Sequence, residues 1–303
     1  MADTHHPEAE KPSRPVALVT GAARRIGRVI ALELARAGFD IALHHRGSST
    51  LSSGEAEATA AELRALGAAV HLFAADFVDT AATAALVPAI AEAFGRVDAV
   101  VNSASRFEYD SPQTFDAALL ESLVRSNTAA PVALAQALAA QVPAQSAHPR
   151  VTPCVVNLLD QKLHNPNPDY FSYTLSKAAL AHATVLQAQA LAPAVRVCGV
   201  SPGITLVSGP MDEDEFARAH RLTALGRSST PEDIARAVRF LIESPAITGI
   251  DLAVDGGQHL VGQPRDVLFL ARNEAPSLLP SPPPRGGARI GSDVILASRH
   301  SPN

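Results

Sequence analysis

The chain has 303 residues, 47% of them hydrophobic, and a formal net charge of −5. That length allows one large domain or two small ones around a sizeable core. The scattered Arg make no basic stripe for nucleic acid, and Cys154 and Cys198, both in apolar runs, read as buried reduced thiols with neither a disulfide framework nor a metal spacing.

Residues 1–15 are polar, with Pro and paired His but no apolar segment of a secretory signal, and read as a disordered tail. No run along the chain is long enough to span a membrane, so the expected location is cytoplasmic. Val16 to Thr20 is a short continuous apolar run, as in a strand buried on both faces. It feeds Gly21-Ala22-Ala23-Arg24-Arg25-Ile26-Gly27 and then a helix to about Gly38. Strand, glycine turn and helix together are the setting in which a helix N-terminus receives a phosphate.

A second strand, Ile41 to Leu43, ends at His44-His45-Arg46-Gly47-Ser48. In a dinucleotide fold a carboxylate there bonds the ribose of NAD, whereas a cation accommodates the 2′-phosphate of NADP. With Arg46 flanked by His45 and Ser48, and Arg24 and Arg25 nearby, the expected cofactor is NADP(H) and no metal. A helix over 52–67, a strand over 70–74 closed by Asp76-Phe77, a helix over 80–94 and a strand over 97–101 follow. This alternation predicts an α/β fold: a single doubly wound domain with a parallel sheet of about seven strands and helices on both faces.

Ligands of such sheets bind at the carboxyl ends of the strands. Asp76-Phe77 and Asn102-Ser103-Ala104-Ser105-Arg106-Phe107 both fall there. A long Ala/Leu-rich helix is expected over 116–141, and its internal Asn127 needs a bonding partner. A fifth strand over 154–159 ends in Asp160, a Pro-containing loop runs to 171, and a helix to about 191 carries Tyr173 and Lys177. Residues four apart share a helix face, so Lys177 stands beside Tyr173, and a cation there is expected to lower the phenol's pKa. A sixth strand over 195–200 leads into Pro202-Gly203-Ile204. Residues 208–227, acidic and without a clear strand, suit a mobile lid. Thr230-Pro231 caps a helix to Ile242, and a last strand spans 251–254. Residues 263–303, Pro- and Gly-rich, read as a flexible tail, leaving 16–262 as the folded domain.

Thr20-Gly21 with Gly27, Asp76, Asn102 with Ala104, Asn127, Tyr173 with Lys177, Pro202-Gly203 and Asp255-Gly256-Gly257 resemble the landmarks of the short-chain dehydrogenase/reductases in order and spacing. The departures are informative. Arg25 stands where that family has a Gly, Ser103 where it has a second Asn, and Asp160 where it has a catalytic Ser. Arg25, Asp160 and the stretch Ala104 to Phe107 are similar to the pteridine reductases and the dihydromonapterin and dihydrofolate reductases related to them.

The resemblance implies that Gly21 to Gly27 hold the pyrophosphate and that Arg25 touches both cofactor and substrate. It implies Asp76 and Phe77 at the adenine, and Tyr173 as proton donor with Lys177 on the nicotinamide ribose. Asn127 would fix a water beside Lys177. Asn102, Ala104, Ser105, Pro202, Gly203 and Ile204 complete the cofactor contacts. Ser105, Phe107 and Asp160 would meet a pterin, Phe107 by stacking and Asp160 by accepting its N–H groups. The expected activity is NADPH-dependent reduction of a dihydropterin or dihydrofolate. A carbonyl or alcohol oxidoreductase and a non-catalytic NADP-binding protein stay open as alternatives. A homodimer or homotetramer is expected from the same resemblance.

Overall fold

The apolar runs become one parallel sheet in a computed structural model that describes residues 14–47, 49–145, 147–207 and 211–272. In chain order its strands are β1 Val16–Val19, β2 Asp40–His45, β3 Val70–Ala74, β4 Ala99–Asn102, β5 Cys154–Leu158, β6 Arg196–Pro202 and β7 Asp251–Val254. They lie side by side as β3-β2-β1-β4-β5-β6-β7. Strand order reverses between β1 and β4, which pair through Ala17 with Ala99 and Val19 with Val101. That reversal opens a crevice at the carboxyl edge, where ligands of such folds bind.

Strand side chains alternate, so both faces of these runs are apolar and both are covered. On one face Ala17, Val19, Ile41 and Leu43 pack beneath three helices: α1 Arg25–Arg36, α2 Thr50–Ala65, and the later helix over Pro231–Glu243. On the other face Val16, Leu18, Val155 and Val197 pack beneath α3 Thr80–Phe94 and helices over Ala130–Gln141 and Phe171–Leu191. Each fully buried Leu or Ile contributes roughly 1.5–3 kcal/mol of transfer free energy. Cys154 and Cys198 are free and buried.

Two sequence expectations, the single helix over 116–141 and the domain's end at 262, need correction, and the segment expected as a lid contains a helix. The predicted helix over 116–141 is two helices, α4 Ala117–Val124 and α5 Ala130–Gln141, joined by a π-helical turn over Arg125–Ala129 that contains Asn127. The supposed lid over 208–227 holds a helix, α7 Glu213–Arg221, started by an Asp212/Glu215 capping box. It follows α6 Phe171–Leu191 and precedes α8 Pro231–Glu243. The folded domain also does not stop at 262. Asp266 caps a further short helix, α9 Val267–Ala271, whose Val267, Leu268 and Ala271 pack with Met211 and Ala219. Residues 1–13, Ser48, Ser146, 208–210 and 273–303, which include most of the expected tails, lie outside the described residues. Among the described residues no helix is long and apolar enough to cross a membrane.

Candidate active site

A cavity of about 700 Å³ opens along the carboxyl edge of the sheet. It is lined by Gly21, Arg24, Arg25, Ile26, Gly27, His45, Arg46, Asp76, Phe77, Ala104, Ser105, Phe107, Asp160, Tyr173, Lys177, Pro202, Gly203 and Ile204. Almost every residue singled out from sequence therefore meets in one place. Asn102 and Asn127 stand behind the wall, and Ser48 is outside the described residues.

The glycine turn is tightly built. Gly21 has φ +64, and a Cβ on Gly27 would lie 2.4 Å from the Gly21 carbonyl oxygen. Arg25, in the position where a Gly is usual, also adopts a left-handed conformation, with φ 55. Its Nη1 donates to the Val207 carbonyl at 2.9 Å, which carries the guanidinium across the mouth of the cavity.

Sequence reading passed over the residue that holds this turn. His44 accepts the Gly21 N–H at Nδ1, 3.1 Å away, and its Nε2 donates to the Ala75 carbonyl at 3.0 Å. The two partners fix one neutral tautomer. Burial pushes the ring's pKa down to about 4. The ring also stacks on Phe77, with centroids 4.4 Å apart, so the glycine turn and the Asp76-Phe77 wall are joined through one imidazole. The signal was its place in a strand with apolar inward neighbours.

At the end of β2, Arg46 Nε donates to Asp76 Oδ2 at 2.8 Å. Burial alone would raise the Asp76 carboxyl, but the Val78 amide and Arg46 outweigh it and hold it below its usual value. A buried Asn102 Oδ1 without a partner lies at the end of β4, and its Nδ2 donates to Asn157 Oδ1 at 2.8 Å. Thr20 Oγ1 accepts the Ser103 and Ala104 N–H groups, each at 2.9 Å, tying β1 to this loop.

At the far end, Tyr173 Oη donates to Asp160 Oδ2 at 2.9 Å, and Asp160 Oδ1 accepts the Lys162 N–H at 2.9 Å. Burial raises the Asp160 carboxyl despite those donors. Lys177 Nζ donates to the Leu158 carbonyl at 2.7 Å and sits 5.8 Å from the Tyr173 ring centroid. Burial lowers Lys177 to about 8.

The expected depression of the Tyr173 pKa is overturned. Burial first, and the Asp160 carboxylate second, push the phenol well above its usual value. The anion bonded to the hydroxyl outweighs the more distant cation.

The Asn127 side chain ties three segments together. Its Nδ2 donates to Arg106 O at 2.9 Å and Ser176 Oγ at 3.1 Å, and its Oδ1 accepts the Arg106 N–H at 2.9 Å. It pins the π turn to the pocket loop and to α6. Such turns break the regular helical ladder and recur at functional sites.

The chain's three tyrosines gather here. Phe107, 43% exposed, stacks on Tyr170 with centroids 4.2 Å apart and meets Tyr173 edge-on at 4.7 Å. Tyr109 meets Tyr170 edge-on at 5.1 Å. Tyr170 was missed: it is the left-handed residue just before α6, so helical spacing from Tyr173 does not place it. Also missed was Asp110, whose carboxylate accepts the Ser172 N–H at 2.9 Å and the Ser172 hydroxyl. It caps α6 from sixty-two residues away. Met211, Asp266, Val267 and Leu268 complete the cavity wall.

A family model described as enoyl-(acyl carrier protein) reductase matches residues 21–259. Pteridine reductase 1 of Leishmania tarentolae is 33% identical over 291 residues, covering 82% of this chain and 98% of that protein. Among solved structures, FolM alternative dihydrofolate reductase 1 from Brucella suis, in complex with NADP, aligns with TM-score 0.75 and 36% identity. It covers 84% of this chain and 98% of its own. The Brucella canis protein of the same name, complexed with NADP, aligns with TM-score 0.73 and 36% identity, covering 82% and 95%.

Proposed function

Because the chain belongs to the short-chain dehydrogenase/reductase family, we propose that it is an NADPH-dependent reductase of a pterin ring. It would take dihydromonapterin, dihydrobiopterin or dihydrofolate to the tetrahydro form. The observation that carries this reading is the bond from Tyr173 Oη to Asp160 Oδ2, a carboxylate where a carbonyl-polarising hydroxyl would serve a ketone.

The residues present fit the cofactor. The turn from Gly21 to Gly27 is a cradle that a Cβ at Gly27 would fill. In this reading its N–H groups, with Arg24, Arg25 and Ile26, hold the pyrophosphate. Arg46, His45 and Ser48 take the 2′-phosphate, and Asp76 and Phe77 border the adenine. Asn102, Ala104, Ser105, Lys177 and the Pro202-Gly203-Ile204 stretch hold the nicotinamide half. Bound NADPH supplies the hydride.

The chain supplies the proton and the orientation. A phenol with a raised pKa keeps its hydrogen at neutral pH, so Tyr173 arrives as a donor for a ring nitrogen. Lys177, near 8, is still largely cationic at pH 7 and offsets the charge left on the phenol oxygen. Asp160 accepts from the N–H groups of the heterocycle, and after transfer a proton taken up from solvent by its carboxyl passes on to restore the Tyr173 phenol. Arg25 and Ser105 border the same ring, and Phe107 offers it a face.

The test is NADPH oxidation with the three dihydropterins beside a generic ketone, repeated with NADH. A dihydropterin should be the fastest substrate and NADPH the better donor. Tyr173→Phe should lose about 10²–10⁴ in turnover. Faster ketone turnover would move the protein to the carbonyl reductases. Tight NADPH binding with no turnover of either class would leave a cofactor-binding protein without chemistry.

A further inference from the structure

Four buried or half-buried charges lie outside the chemistry just described, and they join two segments that are ninety-six residues apart. The Asp169 carboxylate, almost fully buried, takes a fork from Arg265: Nε to Oδ2 at 2.9 Å and Nη2 to Oδ1 at 3.0 Å. It also accepts the Asp266 N–H at 2.8 Å. Lys162, equally buried, donates Nζ to the Asp169 carbonyl at 2.5 Å and stands 3.4 Å from Asp266 Oδ2. Its own N–H is the one that holds Asp160.

Taking such charges out of water is costly unless each is matched, and here each is matched. The matched charges fix two things at once. On the Arg265 side they seat α9, whose Val267 and Leu268 form part of the cavity wall. Its far end is held by Arg272, which forks onto Glu215 of α7 at 2.7 and 3.1 Å. On the Asp169 side they fix the residue before Tyr170, which holds φ 52, ψ 50. A tyrosine rests in that left-handed conformation only when its surroundings hold it there. Tyr170 is the ring against which Phe107 lies. The contacts just named reach neither the glycine turn nor Arg46.

We infer that Asp169 and Arg265 are positioning residues for the substrate half of the site. Their ion pair, braced by Lys162 and Asp266, sets α9 and Tyr170 as one wall and so governs substrate affinity while leaving the cofactor half alone. The family match ends at residue 259, so one member of the pair lies beyond it. The inference rests on the reductase reading only for its kinetic readout.

The experiment compares full-length wild type with Arg265→Ala and Asp169→Asn by hydrogen exchange, calorimetric NADPH binding and dihydropterin kinetics. Exchange should rise together over 163–173 and 263–272. The NADPH Kd should stay within about twofold, and KM should rise roughly 10- to 100-fold with a smaller change in kcat. If Arg265→Ala does not fold, Arg265→Lys keeps the charge, loses the fork and should show the same pattern at smaller size. Opening of 263–272 with 163–173 unchanged would overturn the inference, as would equal losses in NADPH and substrate affinity. If wild type reduces no dihydropterin, the substrate assignment fails while the exchange and NADPH results still decide on the pair.

Discussion

His44 shows how one side chain can couple cofactor site and stability. Its pKa falls from 6.5 to about 4 because burial disfavours the imidazolium. Between those values the unfolded chain binds the proton and the native chain does not, so stability is lost as pH falls from 6.5 toward 4. The loss from this group should reach about 2–3 kcal/mol at pH 4.5. His44→Phe would keep the ring against Phe77 but strand the Gly21 N–H and the Ala75 carbonyl, at about 1–3 kcal/mol each. Urea unfolding should find it less stable than wild type near pH 7, with the gap narrowing at pH 4.5. A constant gap would show that His44 is not held neutral by the fold. Residues whose role follows from local spacing, such as Tyr173 with Lys177 or Arg25 in its turn, were legible in the sequence. Asp110 and Asp169 were not, because their partners are set by where distant segments dock. The direction of the Tyr173 shift was also out of reach, since it depends first on how deeply the phenol is buried and then on its bond to Asp160.

Among the elements, strands and most helices were readable because their apolar periods are strong; α3, α6 and β7 fall where the pattern puts them. The π turn at Arg125–Ala129 was not, since one wider turn leaves no mark on composition. The five apolar residues of α9 were hidden by the Pro-rich sequence after them, although Asp266 before them is a plain cap. The glycine turn is the element most open to test. In Gly27→Ala the new methyl must displace the Gly21 carbonyl or the start of α1, a crowding that typically costs 1–3 kcal/mol. The expected result is a lowered Tm and an NADPH Kd raised by about tenfold or more. Unchanged NADPH affinity would mean that the turn does not form the phosphate cradle.

For the whole molecule, the helix that presents Tyr173 and Lys177 inward carries Leu175 and Leu186 outward, 41% and 63% exposed and three turns apart on one row. Such a row suits a second copy of the chain, the homodimer or homotetramer expected from the sequence resemblance. Leu186→Glu should lower the mass seen by light scattering; an unchanged mass would put the contact elsewhere. The gathering of rings at the pocket has an optical consequence. The chain has no Trp and three Tyr, Tyr109, Tyr170 and Tyr173, and all three belong to the cluster around Phe107. Its tyrosine emission therefore comes from one cluster of rings at the cavity. A ring that enters between them, or a change in the charge beside Tyr170, is reported without a label and without background from the rest of the fold.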